Sequence, residues 1–274
     1  MKVVSLASGS KGNSYLVGGG GDWLMIDCGL SCRELVCRAS QAGVDPERIR
    51  AVLFTHDHDD HVDGLKVFHR RFPAAELYAN YMTAEAIAAA KGVPFDDFAI
   101  FENGQPFAAG PFEVEAFSVP HDVPDPVGYL VRAEGATYFH ATDCGTPLDS
   151  VGRRLGEADV ATLESNYDPV MLCGADRPER VKRRVLGPRG HLANEDAAEL
   201  VRRFASPRLK RLALAHLSQQ CNAPHVAEQV MRATLAEIGR QDVELDVLAQ
   251  DASSRVFELT PLSRILQVVG SGQE

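Results

Sequence analysis

Hydrophobic and polar positions alternate in short blocks along the chain. Compact apolar runs bounded by Gly, Asp, Asn and Pro predict strands at 3–7, 14–17 and 23–27, and the glycines at 18–21 mark a hairpin turn between the last two. A helix follows over 31–42, with Ser31 placed to cap it and Glu34 three residues on. The run AVLFT at 51–55 has the apolar, β-branched character of a buried strand. Helical spacing returns at 62–72 and 82–91. Strands are predicted at 112–119, 128–132, 136–142 and 159–164, and helices at 178–186 and 194–205. A strand at 211–215, a helix at 224–238 and strands at 243–249 and 256–259 close the pattern. Hairpins and crossovers are mixed, so the expected class is α/β, in an α+β layered form with helices outside a sheet core. No short-period repeat and no Pro/Gly/Ser linker divides the chain. One domain over 1–262 is expected, with a tail at 263–274.

Composition narrows this picture. With 274 residues, 45% hydrophobic and 24% charged, the chain has the makeup of a globular protein with a large core, which excludes disorder as its main state. The net charge of −10 excludes a generally basic nucleic-acid coat, so such a partner needs a local patch. Residues 177–211 provide one, with eleven Lys/Arg against four Asp/Glu, a local charge of +7. Arg177, Arg180, Lys182, Arg183 and Arg184 crowd a single predicted helix there. No apolar run has membrane-spanning length and the N-terminus lacks a signal-peptide pattern, so no membrane partner and a cytoplasmic location are expected. No motif specifies an oligomeric state. The cysteines Cys28, Cys32, Cys37, Cys144, Cys173 and Cys221 form no C-x-x-C pair, which argues against a zinc ribbon or a disulfide framework.

The densest chemistry is at residues 55–61, THDHDDH, directly after the AVLF strand. Imidazole and carboxylate both bind zinc-like cations, and His56, His58, Asp60 and His61 lie close enough in sequence to surround one or two. His121, Asp143 and His216 each follow a different predicted strand. Strand ends of α/β sheets are where sites assemble, so four termini can deliver ligands to one edge. His191 lies in a glycine-flanked loop just before a helix, a location that favours anions. The loop 8–14, SGSKGNS, offers Ser8, Ser10 and Asn13 with backbone N–H groups freed by glycine, a possible phosphate cradle. Asn166 and Tyr167 are further candidates for phosphate contact or base stacking. His69, His140 and His225 are assigned structural or surface roles.

These residues carry a specific resemblance. His56, His58, Asp60 and His61 reproduce the H-x-H-x-D-H signature of the metallo-β-lactamase superfamily, and His121, Asp143 and His216 match its later ligands. Leu24-Met25-Ile26-Asp27 resembles its early strand ending in aspartate. SGSKGNS at 8–14, ESNYD at 164–168, GHLAN at 190–194 and AHLS at 215–218 resemble the YycJ/WalJ branch, whose members are described as 5′→3′ exonucleases acting on DNA. The chain departs from that branch at Ala193, where serine is expected, and at Tyr167, where histidine is common.

The resemblance implies an αββα sandwich with two divalent metal ions, zinc, manganese or iron, at one edge. One would take His56, His58 and His121, the other Asp60, His61 and His216, with Asp143 bridging and Asp27 orienting the loop without binding metal. Two such cations would hold a bridging hydroxide for in-line attack on phosphorus and reverse the local negative charge. His191 would protonate the leaving oxygen or bind phosphate. The function the resemblance implies is a binuclear-metal-dependent phosphodiesterase, a 5′→3′ DNA exonuclease, with the DNA gripped by the 177–211 patch. The alternative is hydrolysis of a small cyclic phosphodiester, an RNA end, a thioester or a lactone by the same core. Only 73 positions separate Asp143 from His216, too few for the inserted domain of β-CASP RNA nucleases. His58 stands where flavodiiron oxidoreductases carry glutamate, which favours hydrolysis over redox chemistry.

Overall fold

The computed structural model describes residues 1–259. The expected tail at 263–274, and the last residues of the expected domain, lie outside this range. The first half of the chain builds β1 (Lys2–Ala7), β2 (Ser14–Gly19), β3 (Asp22–Ile26), α1 (Cys32–Gln41), β4 (Ile49–Leu53), α2 (Asp59–Val62), α3 (Leu65–Arg71), β5 (Glu76–Asn80), α4 (Tyr81–Lys91) and β6 (Phe98–Phe101). The second half builds β7 (Phe107–Ala109), β8 (Phe112–Ser118), β9 (Val127–Ala133), β10 (Ala136–Ala141), α5 (Asp149–Leu155), β11 (Val160–Glu164), α6 (Pro169–Gly174) and α7 (Glu179–Leu186). It continues through α8 (Asn194–Phe204), β12 (Arg211–Ala215), α9 (Pro224–Glu237), β13 (Glu244–Val247) and β14 (Phe257–Glu258).

Two seven-stranded sheets result, in the orders β14-β1-β2-β3-β4-β5-β6 and β13-β12-β11-β10-β9-β8-β7. In each, one half is antiparallel and the other parallel. The period-two rule explains why the strands are apolar on both faces. Leu24 and Ile26 of β3, with Ala51 and Leu53 of β4, point between the sheets to meet Val114, Tyr129 and Tyr138. Met25 and Val52 point outward onto Leu35, Phe68 and Ile87 of α1, α3 and α4. On the far side, Leu130, Phe139, Leu163 and Leu214 pack against Val151, Leu200 and Met231 of α5, α8 and α9. The layers are therefore helix, sheet, sheet, helix.

Most expected elements form within a residue or two. Ser31 caps α1 as anticipated, accepting the Glu34 N–H at 3.2 Å. The single helix expected at 62–72 is instead two, α2 and α3. The break falls at Gly64, where an added Cβ would lie 1.9 Å from the Leu30 carbonyl oxygen and where the N–H donates to the Cys28 carbonyl at 2.8 Å. Three strands, β5, β6 and β7, and two short helices, α5 and α6, carried too little periodic signal to be anticipated.

Sheet direction places the chemistry. β10, β11 and β12 run parallel, and β8 is antiparallel to β9, which is antiparallel to β10. The C-terminal ends of β8, β10, β11 and β12 therefore open onto one edge. β3 and β4 are likewise parallel.

Candidate metal centre

Several loops meet at this edge, and three of them turn on a residue in the left-handed region. Asp27 (φ 60°), Asp143 (φ 53°) and His216 (φ 55°) are non-glycine residues with positive φ, a conformation that costs about 1–3 kcal/mol each unless its surroundings impose it. Each lies just past the end of its strand, so the sharp turn swings its side chain inward. The 55–61 loop is pinned from below. Gly29 lies so close that a Cβ there would be 1.8 Å from the Asp60 carbonyl oxygen. Cys28 N donates to the His61 carbonyl at 2.7 Å, and Asn13 N to the Asp60 carbonyl at 2.7 Å.

All seven expected ligands are brought together. One donor atom each from His56, His58 and His121 lie within 4.8 Å of one another, and so do those of Asp60, His61 and His216. Asp143 stands between the two groups, with Oδ1 3.8 Å from His121 Nε2 and Oδ2 3.1 Å from His61 Nε2. Their other ring nitrogens are held from behind. His121 Nδ1 donates to the Gly190 carbonyl at 3.0 Å, His61 Nδ1 to Asp27 Oδ2 at 2.7 Å, and His216 Nδ1 to Glu164 Oε1 at 3.2 Å. This turns Nε2 of each ring toward the shared space, the usual arrangement around a metal-binding histidine. Asp27, with no surface exposed, also accepts the Thr55 N–H at 2.9 Å.

Two observations test the fit to a cation. His121 Nε2 is buried and has no hydrogen-bond partner among the described residues, a costly state for a polar atom unless something else satisfies it. The field is also strongly negative. Burial disfavours charge on His216, yet Asp143, Asp60 and Glu164 push this imidazole up to about 10. Burial would raise the Asp60 carboxyl, but His61 and His216 hold it at about 2. His56 and His121 go the other way, kept neutral chiefly by burial and hence available as ligands. The donor set suits divalent metal binding.

Above the donors is a cavity of about 320 Å³ lined by Ser10, His58, Asp59, Asp60, His121, Asp143, Arg184, His191 and His216. His191 is among these lining residues, its Nδ1 fixed by Glu164 Oε1 at 2.7 Å. Of the other residues expected to meet substrate, Ser10 lines the cavity, whereas Ser8, Asn13, Asn166 and Tyr167 are buried and are not among its lining residues. Ser8 accepts the His216 N–H at 2.8 Å, and Asn13 Nδ2 donates to Asp60 Oδ2 at 3.2 Å. Asn166 Nδ2 donates to the His216 carbonyl at 2.6 Å, and Tyr167 packs with Leu172 and Val185. His140 is buried against Tyr15, His69 pairs with Asp97, and His225 is exposed, in line with their assigned roles.

Glu164 is the functional residue that the sequence reading passed over. It appeared only as a letter in ESNYD, yet it is fully buried and makes four contacts: His191 Nδ1, His216 Nδ1, Cys144 N (2.7 Å) and Leu192 N (3.2 Å). The available signal was a carboxylate closing an apolar strand, the same signature that marks Asp27.

The basic stretch at 177–211 divides in two. Arg202, Arg203 and Arg208 are tied to Glu199 and Glu237, Asp149, and Asp159, and Arg211 is buried with Asp246. Arg180, Arg183 and Arg189 are exposed on and beside α7 and form no ion pair among the described residues. Arg184 leans into the cavity and is held by Asp122 through Nε–Oδ2 (2.5 Å) and Nη2–Oδ1 (3.0 Å). No described helix is long and apolar enough to cross a membrane.

Comparison with known proteins agrees with this architecture. Residues 22–217 match the family model described as a beta-lactamase superfamily domain. The chain is 33% identical to exodeoxyribonuclease WalJ of Streptococcus pneumoniae over 267 residues, covering 96% of this chain and 98% of that one. It is 34% identical to exodeoxyribonuclease YycJ of Bacillus anthracis over 235 residues, covering 85% and 89%. Among solved structures, the metallo-β-lactamase fold protein YhfI from Bacillus subtilis superposes with a TM-score of 0.69 at 17% identity, over 92% of this chain and 98% of that one. The chain thus belongs to the metallo-β-lactamase superfamily of metal-dependent hydrolases, and it is similar over most of its length to the exodeoxyribonucleases WalJ and YycJ.

Proposed function

We propose that this protein is a 5′→3′ DNA exonuclease using two divalent cations, of zinc, manganese or iron. The observation that carries the reading is the pair of donor triads flanking Asp143 on the floor of a cavity open to solvent. Likeness to two exodeoxyribonucleases over most of the chain supports DNA as the substrate.

His56, His58 and His121 would hold one cation, and Asp60, His61 and His216 the other, with Asp143 shared. Cations bound there supply Lewis acidity, giving a nucleophile active at neutral pH and positive charge facing the phosphate. The protein groups do the rest. Asp27 and Glu164 lock the rings of His61 and His216. His191, oriented through Nδ1 by Glu164, presents Nε2 as the proton donor to the departing 3′ oxygen. Arg180, Arg183 and Arg189 offer unpaired charge to the backbone of the duplex outside the cavity.

The test uses linear duplex DNA labelled at its 3′ ends, incubated with protein reconstituted with manganese or zinc, and read on a denaturing gel. Labelled strands should shorten progressively from the 5′ end, and Asp60→Ala, with its fold intact by circular dichroism, should lose the activity. Release of label as mononucleotide would reverse the assigned direction. Intact DNA with both metals at low salt would refute the reading.

A further inference from the structure

The cavity is rich in acid. Asp59, Asp60 and Asp143 line it, and Arg184 is the one permanently charged cation among its lining residues. Its guanidinium is half-exposed, and its fork is engaged by a single carboxylate, Asp122, next to His121 in the chain. Two of its five N–H groups are used on Asp122, so others remain for a ligand. The arrangement is a guanidinium stationed in the lining of the cavity by a carboxylate of matching geometry.

We propose that Arg184 is a recognition residue for the terminal 5′-phosphate of the nucleic-acid substrate, with Asp122 holding its place until that phosphate arrives. The choice of terminal phosphate over internal phosphodiester follows from charge. An internal diester carries one negative charge, no more than the Asp122 carboxylate it must rival. A terminal phosphate monoester carries about −1.5 to −2 at neutral pH and offers three acceptor oxygens, so it competes with Asp122 where a diester does not. The cavity's modest size suits a single end nucleotide better than a continuous strand. The substrate rests on the nuclease reading above, whereas the phosphate preference can be measured without it.

Two arms test this. In the kinetic arm, a 5′-phosphorylated oligonucleotide and its 5′-hydroxyl counterpart are cut by the metal-loaded protein. The wild type should favour the phosphorylated end by about tenfold or more in kcat/KM, mainly through KM. Arg184→Ala should bring the ratio to about one, and Arg184→Lys, which keeps charge but not the fork, should fall between. A wild-type ratio near one, or an unchanged ratio in Arg184→Ala with normal metal content, overturns the proposal. The binding arm measures calorimetrically the affinity of a deoxynucleoside 5′-monophosphate for the metal-loaded wild type and Arg184→Ala. About tenfold weaker binding by the variant sustains the role of Arg184 even where neither oligonucleotide is cut and the nuclease reading has failed. Equal affinities overturn it.

Discussion

Replacing Glu164 by Gln is the most discriminating perturbation of this site, because it changes one proton inventory and almost no volume. Oε2 of Glu164 accepts the backbone N–H groups of Cys144 (2.7 Å) and Leu192 (3.2 Å), while Oε1 faces Nδ1 of His191 (2.7 Å) and of His216 (3.2 Å). A glutamine must turn its carbonyl oxygen to the two backbone donors, since its NH₂ cannot accept from them. The NH₂ then faces both imidazoles and requires Nδ1 of His216 to become an acceptor. The proton moves to Nε2, the nitrogen that lies 3.4 Å from Asp60 Oδ2 and belongs to the Asp60–His61 triad. A protonated nitrogen has no lone pair for a metal. Loss of such an outer contact weakens metal binding by about 10–100-fold, equivalent to about 1.4–2.7 kcal/mol. Folding should change little, because both backbone N–H groups keep an acceptor. Glu164→Ala leaves both unsatisfied in a buried place and should cost about 2–6 kcal/mol of stability, at about 1–3 kcal/mol per group. The assay is competition for metal against a chromogenic chelator, paired with thermal unfolding of the metal-free proteins. Metal affinity of Glu164→Gln within about twofold of wild type would refute the tautomer argument.

Other outcomes follow from the same geometry. Gly29→Ala must push a Cβ into the Asp60 carbonyl, so bound metal measured by mass spectrometry should fall below the wild-type stoichiometry, whereas Gly43→Ala, with open space around it but φ at 74°, should lower stability by about 1 kcal/mol and leave metal content unchanged. Stripping metal by dialysis against chelator should lower the melting temperature by more than about 5 °C, since ligands bound only by the native state add about 4 kcal/mol at a thousandfold excess over Kd. An unchanged melting curve would argue against a loaded site. Changing Arg180, Arg183 and Arg189 together to Ala should reduce the slope of log affinity for duplex DNA against log salt by about two to three, whereas the same change at Arg202, Arg203 and Arg208, already paired, should move it far less. Equal effects of the two triple variants would remove the α7 face from the DNA interface.

Much of this protein was legible in its sequence because the relevant signals are local. A strand buried on both faces is written as a continuous apolar run, and the H-x-H-x-D-H loop concentrates four donors in six residues. His121, Asp143 and His216 were found by the same rule, a chemical residue just past a strand end, and the structure gathers all of them. Asp27 ends an apolar strand in the same way.

What the sequence left open is decided by partners far along the chain. Glu164 lies 27 residues from His191 and 52 from His216, and its role exists only because parallel β11 and β12 bring those loops side by side. Ser8, Asn13 and Asn166 are of polar types suited to binding phosphate, yet packing buries them as struts for Asp60 and His216. The eleven basic residues of 177–211 read as one patch, but long-range acids such as Asp149, Asp159, Glu237 and Asp246 neutralise its second half and leave the charge on α7. Composition and periodicity depend on neighbours in the chain, so strands, helices and the H-x-H-x-D-H loop could be read directly. Burial and charge pairing depend on neighbours in space, which only the folded arrangement of the two sheets determines.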